Sequence, residues 1–411
     1  MPASSAINVV QLFVVLVAAA AGAALIVRRF RVPYTAVLVV AGVAGAMLAP
    51  GLRVVIPSEV ILAVFLPGLV FESGYRLDIA DLRQRTTWAP LLVLTVPGVI
   101  FSAAVVALVL QLATGMPFTL GFLVGAMLAA TDAAAVIAVV KRLQAPAQLR
   151  ALIEGESLFN DGTAIVIFAV ALTGLSGQFS FVESGVAIVL AVVISMAIGI
   201  TGGLIASRLM ALTSDHLIEL SITLVLAYGT YLIADAFHES AIIATVVAAI
   251  VLGNYGRRRS MSVRGVDAVD TVWEFVAFLM TALLFLLIGF AISMAEIADA
   301  LVPIAWGIVA ILVARAVLVY IVVGGGSRLL RWRRRRAGLP IGWQHVMLAA
   351  GLRGAVSVAL ALSLPADVPQ RELLVQVTFG IVAFTLIVQA LSIDFVVEHS
   401  LGATTRPTNP D

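Results

Sequence analysis

Residues 154–162 read Glu-Gly-Glu-Ser-Leu-Phe-Asn-Asp-Gly, in a chain that is 62% hydrophobic and 12% charged. On a helix, Ser157 and Asp161 fall one turn apart on one face, with Glu156 and Asn160 one turn apart on the adjoining face. A further acid, Asp132, follows Thr131 inside FTLGFLVGAMLAATDAAAVIAVV, with eight apolar residues between it and Lys141. Small hard cations take oxygen ligands, and Asp132, Asp161, Thr131, Ser157 and the carbonyls of an interrupted helix would supply them. Desolvation and mutual repulsion disfavour two bare carboxylates, so the same groups would hold protons when no cation is bound. Cation and proton then compete for one site. If only an occupied site crosses the barrier, their gradients are coupled in opposite directions.

Ionisable residues within apolar runs are costly and point to function. Arg353 stands between Gly351 and Gly354 and needs a carboxylate partner, for which Glu156 is the natural candidate. The two glycines weaken the helix and permit close packing or a local opening. Thr131 either ends one half-helix or caps its continuation. Glu72, in FESG, and Arg315 are further intramembrane candidates, with local packing or snorkelling as the alternative.

The elements that must position these residues are apolar runs of about 20 residues, long enough to cross the hydrocarbon at 1.5 Å per residue. The chain is therefore expected to be an all-α polytopic membrane protein with thirteen transmembrane spans: 8–27, 33–51, 59–74, 88–112, 118–140, 149–174, 182–208, 216–236, 239–254, 272–293, 301–324, 341–363 and 372–397. A barrel is excluded, because runs such as FVAFLMTALLFLLIGF do not alternate. Every second break is arginine-rich: Arg28, Arg29 and Arg31; Arg76, Arg83 and Arg85; Lys141, Arg142 and Arg150; Arg257 to Arg259 with Arg264; Arg333 to Arg336. The alternation predicts an N-terminus outside and a cytoplasmic C-terminus, with lipid as the surrounding partner. Because the basic residues sit in these breaks, no nucleic-acid partner is expected. Cysteine is absent, which removes thiolate chemistry, and no GxxxxGK[ST] loop points to ATP coupling or another cofactor.

In FESG (71–74), TDAAAV (131–136), EGESLFNDGTA (154–164) and GLRGAVSVALAL (351–362) the sequence resembles sodium/proton antiporters of the NhaP and NHE type, the cation:proton antiporter-1 family. The resemblance spans essentially the whole membrane region. It implies an inverted-repeat fold with discontinuous, crossed helices at the fifth and twelfth spans, and a homodimer in the cell (inner) membrane. The core repeats would cover 88–174 and 301–397 and move elevator-fashion against a scaffold and dimerisation part, mainly 8–74 and 182–293. Carried over residue by residue, the ligands of Na⁺ or Li⁺ are Asp132, Thr131, Ser157 and Asp161. Glu156 and Arg353 form a stabilising buried pair, and Glu72 is a gate or an outer contact. Asn160 beside Asp161 resembles the electroneutral, one-for-one exchangers. Family members often carry proline after the Thr-Asp pair; here Ala133 stands there, so a pre-set kink is missing. A K⁺/H⁺ antiporter with the same machinery is the alternative reading. An intramembrane aspartyl protease is more remote, since its Gly-x-Gly-Asp stretch is absent. Apart from that reading, no enzyme activity is expected.

Overall fold

The computed structural model describes residues 14–26, 34–48, 58–82, 85–175, 181–291, 294–325 and 339–402. All helices and no strands are found among them. Of the arginine-rich breaks, Arg28, Arg29, Arg31, Arg83 and Arg333 to Arg336 lie outside the described residues, as do the first residues of the first span.

The helices are α1 (Val14–Ile26), α2 (Tyr34–Leu48), α3 (Leu66–Arg76, entered through a π-helical turn at Ile61–Phe65), α4 (Pro90–Thr114), α5 (Phe118–Ala129), α6 (Ala134–Arg142) and α7 (Ala147–Leu175). Then follow α8 (Phe181–Met210), α9 (His216–Ala236), α10 (Ala241–Val251), α11 (Val263–Ala291), α12 (Met294–Ala316), α13 (Ile341–Ala349), α14 (Ala355–Leu362), α15 (Arg371–Phe384) and α16 (Ala390–Gly402). Among the described residues nine helices are long and apolar enough to cross a membrane, and α1 and α2 are shorter apolar helices. The third expected span is met by the 58–76 helix with its π turn, and the twelfth by α13 and α14 in series.

Local chemistry sets the ends. Gly115, at φ +73, closes α4, and Pro117 then opens α5. The Asp215 carboxylate accepts from the Leu217 amide at 2.8 Å to cap α9. Two helix starts differ from expectation: α12 begins at Met294, before residue 301, and α11 begins at Val263, well before residue 272. Its first turns place Val269 in the core and lean on an Arg257–Asp270 ion pair of 2.7 Å, so the helix extends past the apolar stretch with Asp270 paired.

Small residues bring neighbours together. Gly121 and Gly125 of α5 face Ala107 and Ala103 of α4 so closely that a methyl on Gly121 would lie 2.9 Å from the Ala107 Cα. The basic helix ends also meet: Arg258 pairs with Asp78 (2.7 Å), Arg76 with Glu274 (2.9 Å), and Arg142 with Asp394 (3.2 Å) and Glu398 (3.4 Å).

Candidate functional site: two crossed helix breaks and an acidic cavity

α5 stops at Ala129 because Ala130 turns extended (φ −59, ψ 135), and helix resumes only at Ala134. α13 likewise ends at Ala349 and resumes at Ala355 after an extended Gly354 (φ −131, ψ −156). The breaks cross, with the Asp132 amide donating to the Leu352 carbonyl at 2.9 Å. Freed backbone groups at membrane depth need partners, and side chains supply several. Asp132 accepts from the Ala134 amide at 2.9 Å, so Asp132 rather than Thr131 caps the second half-helix. The break therefore forms around Ala133 without a proline.

α7 runs past this break and presents the motif to it. The Ser157 hydroxyl donates to the Thr131 carbonyl at 2.5 Å, and Asn160 Nδ2 reaches the Thr131 hydroxyl at 3.4 Å and Glu156 Oε1 at 3.5 Å. Asp161 Oδ1 is buried with no hydrogen-bond partner. At the second break, a π-helical turn (Thr385–Gln389) between α15 and α16 does the equivalent work. Thr385 Oγ1 accepts from the Arg353 amide at 3.1 Å, and Gln389 donates to the Ala349 carbonyl at 3.3 Å.

The two buried arginines divide their tasks in a way that corrects the expected pairing. Glu156, 2% exposed, is held by Arg315 and not by Arg353: Arg315 Nη2 lies 3.1 Å from Glu156 Oε2 while Nη1 bonds Oε1. Arg315 also donates to the Met347 carbonyl in the last turn of α13, at 2.6 Å from Nη2 and 3.2 Å from Nε. Arg353 instead aims Nη1 at the end of α5, 3.4 Å from the Ala129 carbonyl and 3.5 Å from that of Ala130, and its Nε has no partner. Each guanidinium thus stands at the negative, C-terminal end of one broken helix, where a cation is favoured.

Asp132, Asp161, Thr131, Ser157 and Glu72 line one cavity of about 420 Å³. Glu72 reaches it from α3 while accepting from Arg76 Nε at 2.7 Å. The opposite wall carries residues that sequence reasoning missed: Tyr34 and Thr35 on α2, Phe278 and Thr281 on α11, with the Tyr34 and Phe278 rings stacked at 5.2 Å. Thr281, polar within FLMTALLF, offered a signal; Phe278 offered none. Two acids and several neutral oxygens suit a small monovalent cation that exchanges with protons. Among the described residues no group of three His, Cys, Asp or Glu is placed to hold a metal ion.

Residues 14–399 match the family model described as sodium/hydrogen exchanger, transmembrane. The chain belongs to this family. Membership makes the exchanger an integral membrane protein and a secondary active Na⁺/H⁺ antiporter, a transporter rather than an enzyme. It is 36% identical over 372 residues to the low-affinity Na⁺/H⁺ antiporter NhaS1 of Synechocystis, covering 90% of the exchanger and 69% of that protein. It is 37% identical over 374 residues to the Na⁺/H⁺ antiporter ApNhaP of Aphanothece halophytica, covering 90% and 70%. In fold it is similar to the sodium proton antiporter MjNhaP1 of Methanocaldococcus jannaschii, with a TM-score of 0.78 at 18% identity, covering 96% of the exchanger and 99% of that chain.

Proposed function

We propose that the chain exchanges one Na⁺ or Li⁺ for one H⁺ at Asp161 and Asp132, with Ser157 and Thr131 as further ligands. The observation that carries this reading is the convergence of both acids, with Asp161 Oδ1 unpartnered, on one cavity at a helix break. Electroneutral stoichiometry is supported by Asn160: it is uncharged and spends its amide on Thr131 and Glu156, so this position adds no titratable carboxylate next to Asp161. The cavity has one wall on the break between α5 and α6, the start of α6, α7 and the start of α14, and the other on α2, α3 and α11. This favours an elevator movement of a core (88–174 and 301–397) against a scaffold (8–74 and 182–293). The scaffold would also pair two copies as a homodimer in the inner membrane. Meeting of the basic helix ends supports placing them together on the cytoplasmic face, with the N-terminus outside.

The test is proton flux in sealed proteoliposomes under imposed Na⁺, Li⁺ or K⁺ gradients, with and without a clamped potential, for the native chain and Asp161→Asn. Flux driven by Na⁺ or Li⁺, indifferent to potential and lost in Asp161→Asn, is the expected result. Flux driven only by K⁺ would make the chain a K⁺/H⁺ antiporter, and potential-driven flux would overturn the one-for-one ratio.

A further inference from the structure

We propose that Arg76 is a tethered cation that competes with the transported ion for Glu72, its guanidinium moving between Glu72 and Glu274 at the mouth of the cavity. The inference rests on the reading that this cavity carries Na⁺. Glu72 is the acid of the cavity lining that is paired with an exposed arginine, its own side chain 18% accessible. Arg76, one turn further along α3, is 38% accessible, and Glu274 of α11 is 70% accessible.

Arg76 uses different atoms for the two acids. Its Nε lies 2.7 Å from Glu72 Oε1 and its Nη2 2.9 Å from Glu274 Oε2. It can therefore release one carboxylate while keeping the other. The other charged groups acting on Glu72 are Lys141 of α6 and Glu154 of α7, which are 4.0 Å from each other; Glu154 also lies 3.9 Å from Arg150. Lys141, Arg150 and Glu154 pair among themselves, which leaves Glu72 and Glu274 as the two carboxylates that share the Arg76 guanidinium. An arriving Na⁺ meets Glu72 already engaged and must displace the guanidinium, whose anchor on Glu274 keeps it from being lost to solvent. Partly exposed ion pairs are weak enough for such exchange to be reversible.

Arg76 is thus a positioning residue that sets how readily Glu72 receives the ion, and Glu274 sets how readily Arg76 lets go. Removing the guanidinium frees Glu72. Neutralising Glu274 leaves the guanidinium to Glu72 alone.

The experiment measures half-saturating Na⁺ and maximal rate separately, by Na⁺-driven proton flux in proteoliposomes, with the thermal unfolding midpoint as a folding control. Arg76→Gln is expected to lower half-saturating Na⁺ about threefold and Glu274→Gln to raise it about threefold, as the worth of one partly exposed ion pair dictates. Arg76→Lys, which keeps a tethered cation, should stay close to the native value. The double variant Arg76→Gln/Glu274→Gln should follow Arg76→Gln, because Glu274 acts through the arginine. Shifts in the same direction for the two single variants, or falling thermal midpoints with unchanged half-saturation, would overturn the inference. A native chain that moves no Na⁺ removes the cavity reading and this inference with it, whereas an active native chain with an unaltered Arg76→Gln removes this inference alone.

Discussion

The Arg315 guanidinium grips both carboxylate oxygens of Glu156 and also donates to the Met347 carbonyl at the end of α13. One side chain of α12 therefore fastens α7, which carries the candidate ligands, to the rim of the second helix break. A bidentate pair buried to this degree holds geometry well, but it costs dearly when one member is lost, because the survivor keeps its desolvated charge.

Glu156→Gln should therefore lower stability by about 3 kcal/mol, and Arg315→Gln by a similar amount. The double variant should fall well short of the sum. Thermal or denaturant unfolding of the purified protein gives the coupling energy, and the same cycle run on Glu156 and Arg353 should return a smaller one. A larger Glu156–Arg353 coupling would show that the ion pair has been assigned to the wrong arginine.

That assignment marks the limit of what the sequence discloses. Thr131, Asp132, Ser157 and Asp161 were legible because a polar residue deep in an apolar run has few reasons to be there. The partner of Glu156 was not: Arg315 and Arg353 both sit within apolar runs, and spacing along one helix says nothing about which distant helix faces it. The break at Ala130–Ala133 was foreseen as a polar interruption, yet its stabilisation by the Leu352 carbonyl depends on a segment more than two hundred residues away. The thirteen apolar runs were readable throughout, since hydrocarbon thickness fixes their length. On the α11 wall of the cavity Thr281 carries a signal and Phe278 carries none, because lipid-facing and cavity-facing apolar residues look alike in sequence.

Asp132 has two duties that substitution can separate. Asn retains a side-chain oxygen to accept from the Ala134 amide, so Asp132→Asn should leave the thermal midpoint nearly unchanged and still abolish exchange. Asp132→Ala also loses that cap, worth about 1 kcal/mol, and should be both inactive and less stable. Residual Na⁺-driven flux in a folded Asp132→Asn protein would mean that Asp161 alone suffices.

Competition between proton and cation fixes the direction of the pH dependence. As pH falls, protons fill the shared site, so half-saturating Na⁺ should rise, by at most about tenfold per pH unit if a single proton competes. Two competing protons would allow about a hundredfold per unit. The slope of half-saturation against pH in proteoliposomes measures the number directly and is independent of the electrical test.

Gly354 offers the sharpest test of the crossed breaks. Its φ of −131 is open to any residue, so no backbone strain forbids a side chain there. The obstacle is Asp132: a methyl on Gly354 would stand 2.7 Å from Asp132 Oδ2 and 2.9 Å from its Cγ, and closer still to its Cβ. Gly354→Ala must therefore push the Asp132 side chain away from the position that its hydrogen bond from the Ala134 amide defines, and exchange should fall at least about tenfold, as misplacement of a binding group by a fraction of an ångström commonly costs. Gly162→Ala is the matched control. It lies beside Asp161 within α7, a methyl there meets nothing within 4 Å, and replacing a mid-helix glycine should add about 0.5–1 kcal/mol of stability while exchange persists. If Gly354→Ala were as active as Gly162→Ala, the carboxylate of Asp132 would not need the place that the second break gives it.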